Sequence, residues 1–283
     1  MKRFIAVSLA LLGVLVVIAA WGSREAASVQ KVSVDVAIPR LPRAFDGYRV
    51  LLLSCIHMDG FGETERALLR ALEGTRADLT VIAGDFRGAR SSLRGTLQGL
   101  DSILPALSAP DGIVACKGNH DTPLLIRSAR ERGIRFLMGQ NIAVRRGDSM
   151  IWIAGVSEAT SDSREVAQAL AGIPPGSCTI LIGHNPDVAL PASRAGVDLV
   201  LAGDTHGGQI TLPVLGPLVT KTTIGRRFCY GLNTLGETRV YTNPGIGTTG
   251  LGIRFGQPPE ATCLILRCMA PAPRRAEAPV RPR

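Results

Sequence analysis

The sequence predicts an α/β protein built on parallel strands, and three observations carry that expectation. Apolar runs alternate with helix-patterned segments from Tyr48 to Gly203. Five of those runs stop directly on residues able to bind a metal: LLLSCIHMDG, VIAGDFRG, VACKGNHD, ILIGHNPD and LAGDTHGG. From Gln209 onward, glycines, prolines and short strand-like stretches replace the alternation. Regular alternation implies βαβ units whose strands are covered by helices.

Taken in order, residues 24–46 form a linker and an entry strand, with KVSVDVAIP alternating as an edge strand does. YRVLLLS (48–54) is a buried strand, and ETERALLRALEG (63–74) an amphipathic helix closed by Gly74. A strand follows in ADLTVIAG, a helical region over 91–107, and another strand in GIVACKG. TPLLIRSARERG is a helix with Pro123 in its first turn, where the missing N–H costs nothing. MIWIAGVS and CTILIG are strands, PDVALPASRAG a short helix and DLVLAG a strand. ITLPVLG, TRVYTN and ATCLILRC then predict antiparallel structure that completes a sheet.

Composition narrows the function. The 283 residues carry 19% charged and 4% aromatic side chains, with 32 Gly and 18 Pro, as suits a loop-rich globular chain. The net charge of +9 is largely terminal: Ala270–Arg283 holds four Arg and one Glu, and Lys2 and Arg3 open the chain. Aromatic residues do not interleave with a basic stripe, which argues against nucleic acid as a partner. The six cysteines contain no CxxC pair, excluding a zinc ribbon or a disulfide scaffold, and Cys116, Cys178 and Cys263 sit in apolar runs as small hydrophobes.

The N-terminus, residues 1–23, contains an uncharged run of 18 residues from Phe4 to Trp21 behind Lys2 and Arg3. That length exceeds the usual core of a signal peptide, and Trp21 fits an interfacial position. The expectation is a signal anchor in the inner membrane, or else a signal peptide, with the domain of residues 47–269 on the outer side. The Pro/Arg tail, 270–283, is expected to be disordered.

In parallel α/β sheets ligands bind beyond the carboxyl ends of strands. Those ends carry Cys55 and His57, Asp85, Asn119 and His120, His184, then Asp204 and His206. A lone Asp after a strand is usually a helix cap; five such sets at successive strand ends call for a common chemistry. Two-metal phosphoester hydrolysis suits them, with cations about 3.5–4 Å apart and a carboxylate, Asp85, between them.

The ordered motifs SCIH, AGD, KGNHD, IGH and GDTH resemble those of the calcineurin-like metallophosphoesterase family. GGQITLPVLGPL and NPGIGTTGLGIRFGQPPE resemble its bacterial branch with an N-terminal membrane segment, where some members are similar to hydrolases of UDP-2,3-diacylglucosamine, a lipid A precursor. The likeness runs over residues 30–268. It implies a four-layer α/β/β/α sandwich of two mixed sheets, preceded here by one hydrophobic helix. It also implies two divalent ions (Mn, Zn or Fe), one held by Cys55, His57, Asp85 and His206, the other by Asp85, Asn119, His184 and Asp204. His120 would protonate the leaving oxygen, with Asp121 orienting it, and lipid-linked phosphoesters are among the substrates the resemblance implies. An outward-facing domain conflicts with UDP-linked substrates, which are cytoplasmic.

Two positions depart from the family pattern. Cys55 stands where Asp is expected, and Asp204 where His is expected; Asp59 lies near enough in sequence to be considered as a substitute for the first. Either both act as ligands, thiolate and carboxylate, in a working hydrolase, or the chain is a weak or inactive membrane-anchored module that binds phosphoesters. Arg87 reads as a solvated arginine. GIGTTGLG (245–252) lacks the helix and lysine of a phosphate loop and reads as a loop shaping the site.

Overall fold

The computed structural model describes residues 2–157 and 162–269. Two six-stranded mixed sheets face each other. The first has the order β1 (Gln30–Ile38), β14 (Glu260–Cys268), β2 (Arg49–Leu53), β3 (Leu79–Ala83), β4 (Ile113–Cys116), β5 (Ile134–Phe136). The second runs β12 (Gly231–Leu235), β13 (Thr238–Thr242), β9 (Leu199–Ala202), β8 (Thr179–Ile182), β7 (Ser149–Gly155), β6 (Gln140–Arg146). A small hairpin, β10 (Thr211–Leu212) with β11 (Gly216–Pro217), stands apart.

The central strands read as unbroken apolar runs because both of their faces are covered. In β2, Val50 and Leu52 point between the sheets, while Leu51 and Leu53 point outward. In β8, Ile180 and Ile182 meet them from the other side, and Leu181 faces away. The outer face of the first sheet packs on α2 (Glu63–Leu72), α3 (Leu93–Ile103) and α4 (Pro123–Glu131) through Leu68, Leu100, Leu125 and Ile126. The outer face of the second packs on α5 (Ser163–Ala169) and α6 (Ala189–Arg194) through Val166, Ala169 and Ala192. Helix, sheet, sheet and helix thus form four layers.

The helices begin where their side chains satisfy free N–H groups. Ser92 accepts from Gly95 N at 3.0 Å and Thr122 from Leu125 N at 3.3 Å. Strands β5, β6 and β12 and helix α5 escape the periodicity argument. The first has three residues, the next two are half-exposed edges, and α5 is seven residues long. The late strands also differ from expectation. They complete two sheets: β13 lies parallel to β9, whereas β14 inserts between β1 and β2, parallel to one and antiparallel to the other.

Helix α1 (Lys2–Ala26) covers the N-terminal apolar run. Among the described residues no helix is long and apolar enough to cross a membrane, so the fold does not show the anchor expected for this segment. The Pro/Arg tail lies outside the described residues.

Candidate metal centre

Parallel strands β2, β3 and β4 of one sheet and β8 and β9 of the other bring their carboxyl ends to one edge of the sandwich, and every strand-end motif arrives there. The loops lock across the gap: Cys55 N donates to Gly84 O (3.0 Å), His57 N to Asp85 O (3.1 Å), and Gly203 N to His184 O (2.7 Å). A Cβ on Gly118 would collide with Asp85 Oδ1, and one on Gly208 with the Pro217 ring. The doubled glycine after His206 therefore lets the chain fold back against the β10–β11 hairpin, where Gly208 has φ +85°.

His57 Nε2 and His206 Nε2 are 3.1 Å apart with their rings stacked. Asp85 Oδ2 lies 3.9 Å from His57 Nε2 and 3.3 Å from His184 Nε2. His184 Nε2 also lies 3.2 Å from Asn119 Oδ1 and 3.8 Å from Asp204 Oδ1. The Cys55 sulfur belongs to two groups of donor atoms lying within 4.8 Å of one another, one with His57 and His206, the other with Asp85 and His184. It sits between the two expected positions instead of within the first alone. Asp204 N donates to Cys55 Sγ at 3.2 Å, so the two departures from the family pattern touch each other.

Five of these residues, Cys55, His57, Asp85, Asp204 and His206, have φ between 45° and 62°. Left-handed backbone is unfavourable by about 1–3 kcal/mol for a residue with a Cβ and persists only where the surroundings impose it. Such strain gathered at one point is the mark of a site shaped for its ligands.

Electrostatics fit the same conclusion. Burial, foremost, pushes His57 down to about 4, against the pull of Asp85, and pushes His206 well below its usual range, helped by the Arg254 cation. Both rings are therefore neutral near pH 7, and the His57 Nδ1 contact to Arg87 O (3.0 Å) turns its Nε2 lone pair inward. Burial would lower His184 and raise Asp85, but their mutual attraction wins, holding His184 at about 9 and Asp85 at about 2. His184 Nδ1 meets Ala83 O at 2.7 Å, which leaves its Nε2 facing Asp85 Oδ2. Burial, then Asp85 and Asp204, drive the Cys55 thiol upward, so only a bound cation would make it a thiolate. Soft sulfur, neutral imidazoles and carboxylates make a set fit for divalent transition metals.

His120 is different in exposure. Its side chain is 25% exposed, its Nε2 lies 4.0 Å from Asp85 Oδ2, and its backbone N–H donates to Asp85 Oδ1 at 2.9 Å. Asp121 does not make the contact expected of it. Its carboxylate accepts from Gly118 N, Asp85 N and Phe86 N, each at 2.9 Å, and from Arg87 N at 3.4 Å. It braces the Asp85 loop instead of orienting the His120 ring. Asp59 accepts from Ser92 N, away from the cluster, and the Arg87 guanidinium donates to Ser91 O.

Four supporting residues escaped sequence reasoning. Asn185 donates to Asp204 Oδ2 at 2.7 Å and to Lys221 O at 2.8 Å, while Lys221 Nζ stands 3.4 Å from Asp204 Oδ1. Asn243 accepts from Ser54 and donates to Thr262, tying β2, β13 and β14 together. Arg254, wholly buried, donates to the carbonyls of Pro244, Gly245, Gly247, Gln257 and His206. A single arginine in the glycine-rich stretch GLGIRFG was the one available hint.

A four-layer sandwich with this donor set at one edge defines a metallohydrolase. The chain belongs to the calcineurin-like phosphoesterase family, whose model matches residues 48–208. It is similar to the uncharacterized metallophosphoesterase YkuE of Bacillus subtilis (strain 168), 29% identical over 80% of this chain and 82% of that one. Phosphodiesterase YaeI of Escherichia coli (strain K12) is 27% identical over 77% and 82% of the two chains. A transmembrane protein with metallophosphoesterase domain from Bos taurus is 30% identical over 83% of this chain but 56% of its own length. The protein is accordingly a metal-dependent phosphoester hydrolase.

Proposed function

We propose that this chain cleaves a phosphodiester at two divalent cations, the first held by Cys55, His57, Asp85 and His206 and the second by Asp85, Asn119, His184 and Asp204. When bound, the pair would supply an activated water and a positive clamp for the phosphoryl oxygens. The observation carrying this reading is the clustering of seven donor residues, five in left-handed backbone, with the Asp85 carboxylate between His57 and His184.

The residues divide the remaining work. Asp85 lies between the His57 and His184 imidazoles and shares its charge between the two sites. Cys55 reaches toward both groups of donors. His120, the most open of the histidines, stands where a substrate arrives and gives a proton to the departing oxygen. Asp121 holds the Asp85 loop through backbone N–H groups and takes no part in proton movement. The apolar run Phe4–Trp21 is proposed to anchor the chain at a membrane, and the substrate to be a lipid-linked phosphoester.

The test is metal content by elemental analysis together with hydrolysis of chromogenic phosphomonoesters and phosphodiesters. Bound transition metal with diester turnover that His120→Ala lowers about 10²–10⁴-fold is the expected result. Metal and ligand binding without turnover would instead support the binding-module alternative. A protein that retains no metal would end the proposal.

A further inference from the structure

Beside His206 the surface opens into a trench of about 310 Å³. One end is polar, formed by His206 and by Lys221, whose ammonium faces Asp204. The rest is lined mainly by Ile210, Leu218, Val219 and Leu251. Beyond it the β10–β11 turn carries Val214 and Leu215 into solvent, and Leu218 and Leu251 are themselves 58% and 78% exposed. Large apolar side chains held in water beside a reactive site call for an apolar ligand.

The walls of the trench are fixed. Gln209 clamps the two sides, donating to Thr249 O at 2.8 Å and accepting from Thr249 N at 2.9 Å. Arg226 holds the hairpin by donating to Leu215 O and Pro217 O at 2.7 and 2.8 Å. The wall that contains Leu251 continues into Arg254, whose N–H donates to Gly22 O of α1 at 3.0 Å. That hydrogen bond ties the loop after Leu251 to the end of α1, where Trp21 is exposed.

From this we infer that the trench is the subsite for the hydrocarbon chain of an amphiphilic phosphoester, with the phosphate at the metal residues and Lys221 and the chain along Leu218, Val219 and Leu251. The inference rests on the proposed hydrolysis of a lipid-linked phosphodiester and adds to it the place and the residues that would hold the ligand's apolar half. An anionic head and an apolar tail match the charge and the polarity of the two ends.

The test uses full-length, metal-loaded protein at a fixed detergent concentration. It measures kcat/KM for 4-nitrophenyl alkyl phosphodiesters from methyl to octyl and, by calorimetry, the affinity of the matching alkyl phosphonates. Each methylene entering the trench is expected to raise both quantities about fourfold, the effect of burying one CH₂. Leu218→Asp and Leu251→Asp, at exposed positions where folding tolerates charge, are expected to flatten the slope. Methyl-ester turnover with no slope, or a slope that both variants keep, would overturn the subsite and leave the hydrolase reading standing. No turnover of any ester would sink the hydrolase reading, while the phosphonate slope still decides the subsite. A dimer in sedimentation that Leu218→Asp dissolves, with no chain-length slope, would assign the surface to a second copy and overturn the inference.

Discussion

Replacing Asp121 by Asn separates two roles that look alike in sequence. The Asp121 carboxylate is 3% exposed, and its two oxygens accept from Gly118 N, Asp85 N, Phe86 N and Arg87 N. An amide keeps one acceptor oxygen and turns an NH₂ toward two of those N–H groups. Each buried donor left without a partner is unfavourable by about 1–3 kcal/mol, so the expected loss is roughly 2–6 kcal/mol. That is a large share of the about 5–15 kcal/mol that holds a domain folded. Urea unfolding of the metal-free protein, with the slope checked for constancy, reads this loss directly. Because the same N–H groups belong to the loop bearing Asp85, metal affinity should fall as well. A variant that unfolds within about 1 kcal/mol of wild type, keeps its metal and loses only turnover would refute the bracing argument and restore an orienting role toward His120.

Gly118→Ala drives a methyl into the Asp85 carboxylate, so metal content should drop below one equivalent while far-ultraviolet circular dichroism stays native; full occupancy would count against the packing described. Arg254→Met removes the donor shared by five loop carbonyls and the support behind His206, and metal affinity should weaken about 10–100-fold in competition with a chelator. The metal-free protein should be most stable near pH 6.5. His57, depressed to about 4, takes up a proton on unfolding below about 6.5, so stability falls as pH drops from there to about 4. His184, raised to about 9, contributes stability that is complete below about 6.5 and is lost as pH rises through 9. Melting temperatures of chelated protein that climb steadily to pH 9 would contradict the His184 assignment, and values that stay flat between pH 4 and 6.5 the His57 assignment.

Much of the site was legible because its residues follow apolar runs immediately. A buried strand in a parallel sheet has both faces covered, so its sequence is a short block of Val, Ile and Leu, and the residue after the block lies at the sheet edge. Cys55, His57, Asp85, Asn119, His120, His184, Asp204 and His206 could all be placed by that rule alone. Edge strands β6 and β12 lack the rule's premise, since solvent covers one face, and so they carried no comparable pattern.

What the sequence determined by itself was thus local: the strand blocks, the capped helices and the residue types that end each strand. Only the tertiary structure decided which of these meet, because contacts between Cys55 and Asp204, or His57 and His206, close loops of 149 residues that no local pattern encodes. It moved Asp121 from the His120 ring to the Asp85 loop, set Lys221 against Asp204, and threaded β14 between β1 and β2. It also buried Arg254 behind His206, where a cation is tolerated because five backbone carbonyls converge on it from loops that are adjacent only once both sheets have packed.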